Sequence, residues 1–89
     1  MHSPTGYYAL ITTTRYQAAA EGEVEDWVIT EVFPVVSFQS GESMIVNRAG
    51  EVRQAKEYTQ EIRAELPGGD GARFTVDLEV TPHHTGEPA

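Results

Sequence analysis

The chain has 89 residues, no cysteine, fourteen acidic residues against six basic ones and a formal net charge of -8. A chain of this size has room for one hydrophobic core, and without thiols it has neither a disulfide framework nor a thiolate metal site. The acid excess opposes a direct grip on nucleic acid, which depends on Lys and Arg displacing counterions from phosphate, and it favours a basic protein partner instead.

The opening residues, MHSPTGYYALITTT, lack the basic start and continuous apolar segment of a secretory signal, and no apolar run approaches membrane-spanning length. A cytoplasmic protein without membrane contact is the expectation. Tyr7 to Tyr16, rich in aromatic and β-branched residues, reads as a first strand. The acidic segment QAAAEGEVED, residues 17–26, reads as a long mobile hairpin loop carrying Glu21, Glu23, Glu25 and Asp26. Trp27 to Phe33 is a second strand, apolar on both faces, with Pro34 expected at a strand end or bulge. Val35 to Gln39 is a third, closed by Ser40 and Gly41 as a turn.

From Ala49 to Leu66 the chain reads AGEVRQAKEYTQEIRAEL. Glu51 to Leu66 contains no Gly, Pro, Asn or Asp to punctuate a hairpin, so a strand reading would need one strand far longer than about five or six residues. Its Glu, Gln, Lys, Arg and Ala are good helix formers. Val52, Ala55, Thr59, Ile62 and Leu66 recur at spacings of three and four, one face of a helix over residues 51–64. Pro67, Gly68 and Gly69 stop it. Its start is open: Gly50 is one boundary, and Ser43 capping a longer helix that takes in Met44 and Ile45 is another, so that residues 44–48 are helix or a further short strand. In RFTVDLEV, Phe74, Val76, Leu78 and Val80 alternate with polar residues, so one face is expected to be buried against Val52, Ala55, Ile62 and Leu66.

These elements make one α+β domain over residues 1–81, a small, mostly antiparallel sheet with one helix on one face in the order β-β-β-α-β, followed by a flexible tail over residues 82–89. The order resembles the HicB-type antitoxin domain, a partial RNase H-like fold. YYALITTT stands for its aromatic-led first strand, WVITEVFP for its proline-ended second, VVSFQSGES for its third with Gly41, Glu42 and Ser43 at the turn and cap, and a charged helix and FTVDLEV follow. Pro34 runs directly into Val35 and Val36 where the family has a glycine-ended loop, and MIVNR is an insertion. The resemblance implies the neutralising half of an antitoxin without a DNA-binding C-terminal domain, and a small basic RNA-cleaving protein as its partner.

No catalytic constellation is apparent. His83 and His84 are adjacent in the tail, with no third ligand close by; Asp77 and Glu79 fall on the wet side of a one-sided strand; and Ser37, Ser40 and Ser43 lack a histidine base. PGGDG follows a helix and precedes a strand, the reverse of a phosphate-cradling loop. No cofactor, metal or catalytic residue is expected, and a ligand-binding enzyme is kept only because fold does not exclude function. The candidate contacts are instead for protein. Arg53, Glu57, Glu61 and Glu65 fall in one helical row, whose like-charged pairs cost roughly 0.2 to 0.5 kcal/mol each and would be relieved by a basic partner; the plainer reading is a solvated face. Trp27 and Val32 represent a strand with more apolar surface than one helix can cover, which points to a homo-oligomer or a partner. Here the plainer reading is a core strand shielded by loops or by Tyr7 and Tyr16. The functional expectation is an acidic, antitoxin-like protein-binding module; the alternative is a self-assembling structural or accessory protein, such as one derived from a phage, without catalytic activity.

Overall fold

β1 (Tyr7–Ala19) and β2 (Gly22–Pro34) form an antiparallel hairpin of two thirteen-residue strands. The computed structural model that shows this describes residues 3–66 and 71–82. At about 3.3 Å per residue such a strand is roughly 43 Å long, which accounts for most of the 47 Å long axis of the molecule. The acidic segment expected to be a mobile loop is therefore the far end of a ladder. Ala19 pairs with Gly22, leaving Ala20 and Glu21 as the turn. Gly22 holds φ +120°, a backbone conformation closed to side chains with a Cβ. The ladder slips once, between Arg15 and Tyr16, so that Asp26 has no residue opposite it; its carboxylate instead meets the Arg15 guanidinium. Arg73 secures the tip from the neighbouring strand. Its guanidinium grips the Glu23 carboxylate at 2.8–3.0 Å and lies over the Tyr16 ring, 4.4 Å from the centroid.

β6 (Arg73–Pro82) pairs antiparallel with the other edge of β1, giving a sheet of order β2-β1-β6. Pro82, expected to open the tail, is still in register opposite Tyr7. The hydrogen bond from the Val35 amide to the Tyr7 carbonyl (2.9 Å) extends the β1–β2 register by one pair and fixes its phase. Odd-numbered residues from Trp27 to Phe33 bond to β1, while Val28, Thr30 and Val32 direct their amide and carbonyl outward. Pro34 sits at the strand end with its missing N–H on that outward side, so it costs the ladder nothing.

A second, separate sheet corrects the single-sheet expectation. It consists of β3 (Ser37–Gln39), β4 (Glu42–Val46) and β5 (Val52–Gln54), in that spatial order and all antiparallel. The element order is thus five strands, helix, strand. Ser40 and Gly41, at φ +52° and +82°, make the two-residue turn between β3 and β4, with both central residues in the left-handed region that matches strand twist. Residues 44–46, open between helix and strand in the sequence, belong to β4, and Ser43 is buried in that strand instead of capping a helix. Asn47 explains why. Its Oδ1 accepts the amides of Ala49 and Glu51 at 3.0 Å each, and its own amide donates to the Glu51 carbonyl. This Asx turn folds the chain back so that Val52, Arg53 and Gln54 pair with β4.

The helix α1 (Ala55–Glu65) begins there, four residues later than Glu51. Glu57 in its first turn and Arg63 in its last suit the helix dipole. Of the expected apolar face, Ala55 and Thr59 are buried and Ile62 and Leu66 are half-buried against the core, while Val52 is exposed on β5. Leu66 is already extended, at ψ 138°, and the expected stop at Pro67, Gly68 and Gly69 lies outside the described residues.

The core lies between the first sheet, the second sheet and α1. It contains Ala9 and Ile11 from β1, Val35 from the inter-sheet link, Ile45 from β4, Ala55 and Val76. Phe33 and Tyr58 close it with an edge-to-face ring contact at 5.4 Å. On β6 only Val76 is fully buried; Leu78 and Val80, expected beneath the helix, are exposed, because an eleven-residue helix reaches over only part of a ten-residue strand.

Candidate functional site

Since α1 packs towards β6 and the second sheet, it leaves β2 uncovered on the helix side. Between them runs a groove of about 310 Å³. Thr13, Trp27 and Ile29 lie along its sheet side, and Tyr58, Ile62 and Leu66 along its helix side. Trp27, Ile29 and Glu31 point to one face of β2 by strand alternation, the face that carries Ile11 and Thr13 on β1. Trp27 is held by a tilted ring contact with Phe74 at 5.9 Å, yet remains 37% exposed, and Ile29 is 54% exposed.

Carboxylates line the same groove. Glu61 and Glu65 project from α1, and Glu31 from β2. Glu31 is neutralised by the Arg48 guanidinium from the β4–β5 turn. Glu61 is 3.7 Å from Arg53, whose stronger contact is with Glu51 at 3.0 Å. Glu65 has no ion-pair partner among the described residues. The Tyr58 hydroxyl titrates above its ordinary range, first because of burial and then because of the Glu31 carboxylate, so it enters the groove as a neutral donor.

The structure thus brings together Trp27, Glu61 and Glu65 of the residues singled out in the sequence. Val32 is on the opposite face of β2, 49% exposed, and Glu57 is on an adjoining hollow of the helix with Arg53, Gln60, Ala64 and Glu61, which borders both hollows. Arg53 belongs to β5, not to the helical row, though its guanidinium reaches back to Glu61. Ile29 follows Trp27 at a strand period of two within the apolar second strand. Tyr58 and Arg48 were not anticipated here; Arg48 carried no local signal, because its approach to Glu31 depends on the β4–β5 turn.

Neither loops nor Tyr7 and Tyr16 shield β2: Val24, Trp27, Val28, Ile29 and Val32 are all exposed. Among the described residues no strand pairs with the outer side of β2, so the outward amides and carbonyls of Val28, Thr30 and Val32 lie along one edge of the sheet. The opposite edge, on β6, differs, for there Arg63 donates to the Val76 carbonyl at 2.8 Å. Among the described residues no three His, Asp or Glu side chains gather into a metal-binding group, and no helix is long and apolar enough to cross a membrane. His83 and His84 lie outside the described residues. Compared with protein-family models, curated proteins and solved structures, the chain matches none.

Proposed function

We propose that this chain is a small acidic protein-binding module of the cytoplasm, antitoxin-like, which neutralises a basic protein partner through the groove between α1 and β2. The observation that carries the reading is the combination of exposed Trp27 and Ile29 with Glu61 and Glu65 in one groove. An apolar anchor flanked by the Glu61 and Glu65 carboxylates suits a side chain such as Leu or Phe flanked by Lys or Arg. The resemblance to the HicB-type domain supplies the neutralising role; the groove supports it by offering a cationic surface both burial and charge.

The test is co-expression with a small basic protein encoded in the neighbouring reading frame. Copurification that is lost in Glu61→Lys/Glu65→Lys and retained in Glu57→Lys supports the reading. Binding indifferent to both variants and to Trp27→Ala removes it. A second reading, a self-assembling structural or accessory protein, is favoured by a different observation: the apolar side chains of β2 are exposed on both faces of the strand. Salt separates the two, because an acidic surface binds a basic partner less well as salt rises and binds another acidic copy better.

A further inference from the structure

The free edge of β2 meets the requirements for pairing with itself. The geometry points to an isologous dimer in which β2 lies antiparallel to β2 of a second copy, two-fold related at Thr30, joining two three-stranded sheets into one of six strands. This interface borders the groove and shares Trp27 and Ile29 with it, but its hydrogen-bonding edge does not depend on a basic partner.

Phase and charge select the register. Only Val28, Thr30 and Val32 offer both amide and carbonyl outward in the apolar half of the strand, so each hydrogen-bonded pair across the dimer must join two of these positions. A two-fold axis at Val28 would set Glu25 against Glu31 of the partner subunit, and an axis at Glu31 would set that carboxylate against its own copy. An axis at Ile29 would oppose Trp27 to Glu31 of the partner subunit and Val28 to Thr30 of the partner subunit, so that neither Trp27 nor Val28 gains an apolar partner. With the axis at Thr30, Val28 meets Val32 of the partner subunit on one face and Trp27 meets Phe33 of the partner subunit on the other; Ile29 meets Glu31 of the partner subunit, and no like charges stand opposite. The pairing covers apolar side chains that are 37–54% exposed in the single chain, and cross-strand apolar and aromatic pairs are the units that stabilise a sheet. The β6 edge is a poorer candidate, with its Val76 carbonyl taken by Arg63 and with Asp77 and Glu79 along it.

Each copy carries a charge of -8, so the dimer must form against long-range repulsion and should tighten as salt screens it. Sedimentation equilibrium of the full chain at about 100 µM, in about 0.02 M and about 0.5 M NaCl, is expected to show a dimer that strengthens with salt. Thr30→Pro deletes an amide that β1 does not use; losing the two central bonds of the pair should weaken association roughly thirtyfold or more. The chain has no cysteine, so Thr30→Cys provides a second test that does not depend on proline being tolerated. A residue on the axis faces its own copy at about 5.5 Å between Cα atoms, within disulfide range, and Thr30→Cys should cross-link far faster than Val24→Cys. A monomer at both salt concentrations overturns the proposal, as does a dimer that weakens with salt. A dimer in which Thr30→Cys cross-links no faster than Val24→Cys assigns self-association to another surface.

Discussion

Replacing Ile45 with Ala tests where the core lies. The side chain is fully buried on β4, in the cluster formed with Ala9, Ile11, Val35, Ala55 and Val76. Ile to Ala removes three carbons, worth roughly 2.4 kcal/mol at about 0.8 each, and the cavity left among side chains from both sheets and the helix raises the expected loss to about 3–4 kcal/mol. A chain of this length has roughly 4–13 kcal/mol of total stability, so the variant should be marginal or close to unfolded. In urea, with a slope near 1 kcal/mol per molar, the midpoint should fall by about 3 M or more. The controls are Ile62→Ala, half-buried beneath the helix, at about 1–2 kcal/mol, and Ile29→Ala, exposed in the groove, within about 0.5 kcal/mol. An Ile45→Ala loss below about 1 kcal/mol, with Ile62→Ala the costlier change, would mean that the core lies between one sheet and the helix and that the second sheet is peripheral.

Asn47→Ala removes the acceptor for the Ala49 and Glu51 amides; since both are at the surface, where water can replace it, the loss should be about 1 kcal/mol by urea unfolding. The Tyr58 pKa is raised on folding, chiefly by burial, so its contribution is complete below the ordinary tyrosine pKa of about 10 and is lost as pH rises through the folded value. Tyr58→Phe should therefore flatten the alkaline fall in unfolding midpoint, and ultraviolet titration should lose a component ionising above the ordinary tyrosine range. Glu23 is shifted the other way, below 4.5, chiefly by its hydrogen bond from Arg73; the contact helps the hairpin tip above that pH and is lost as pH falls through the lowered value. Carboxyl chemical shifts followed by NMR should show Glu23 titrating below the ordinary glutamate range and returning to it in Arg73→Ala.

The elements that sequence pattern fixed well are those with a strong period or a local turn chemistry. Aromatic and β-branched composition marked β1 and alternation marked β6, Ser40 and Gly41 made the turn between β3 and β4, and Ala55, Thr59, Ile62 and Leu66 formed the core-facing side of the helix, the first two buried and the last two half-buried. What pattern could not reach was set by cross-chain contacts. Residues 17–26 are polar and small, with no strand signal of their own, and become ladder because Gly22 permits the turn and Arg73, fifty residues away from Glu23, grips the tip. Val52 fitted the helical period of the residues that follow it, but the Asn47 turn commits it to β5. The apolar excess on β2 was legible; that it would stay uncovered was not, because it depends on α1 leaning towards β6 and the second sheet. For the groove, Trp27 and the glutamate spacing were visible in the sequence, whereas the division that puts Glu61 and Glu65 inside and Glu57 outside follows from the helix's rotation on the sheet.

Trp27 is the chain's single tryptophan and lies in the groove, which makes its fluorescence a direct reporter on the proposed binding surface. The decisive measurement is stopped-flow association with the small basic partner, followed through Trp27 over a range of salt concentrations. The account predicts a fluorescence change on binding and an association rate that falls steeply with salt. It also predicts that Glu61→Lys/Glu65→Lys lowers the rate at low salt by tenfold or more, as expected for charges that steer encounter, and that Glu57→Lys has less effect. A partner that binds without perturbing Trp27, at a rate indifferent to salt and to the Glu61 and Glu65 reversals, would contradict it.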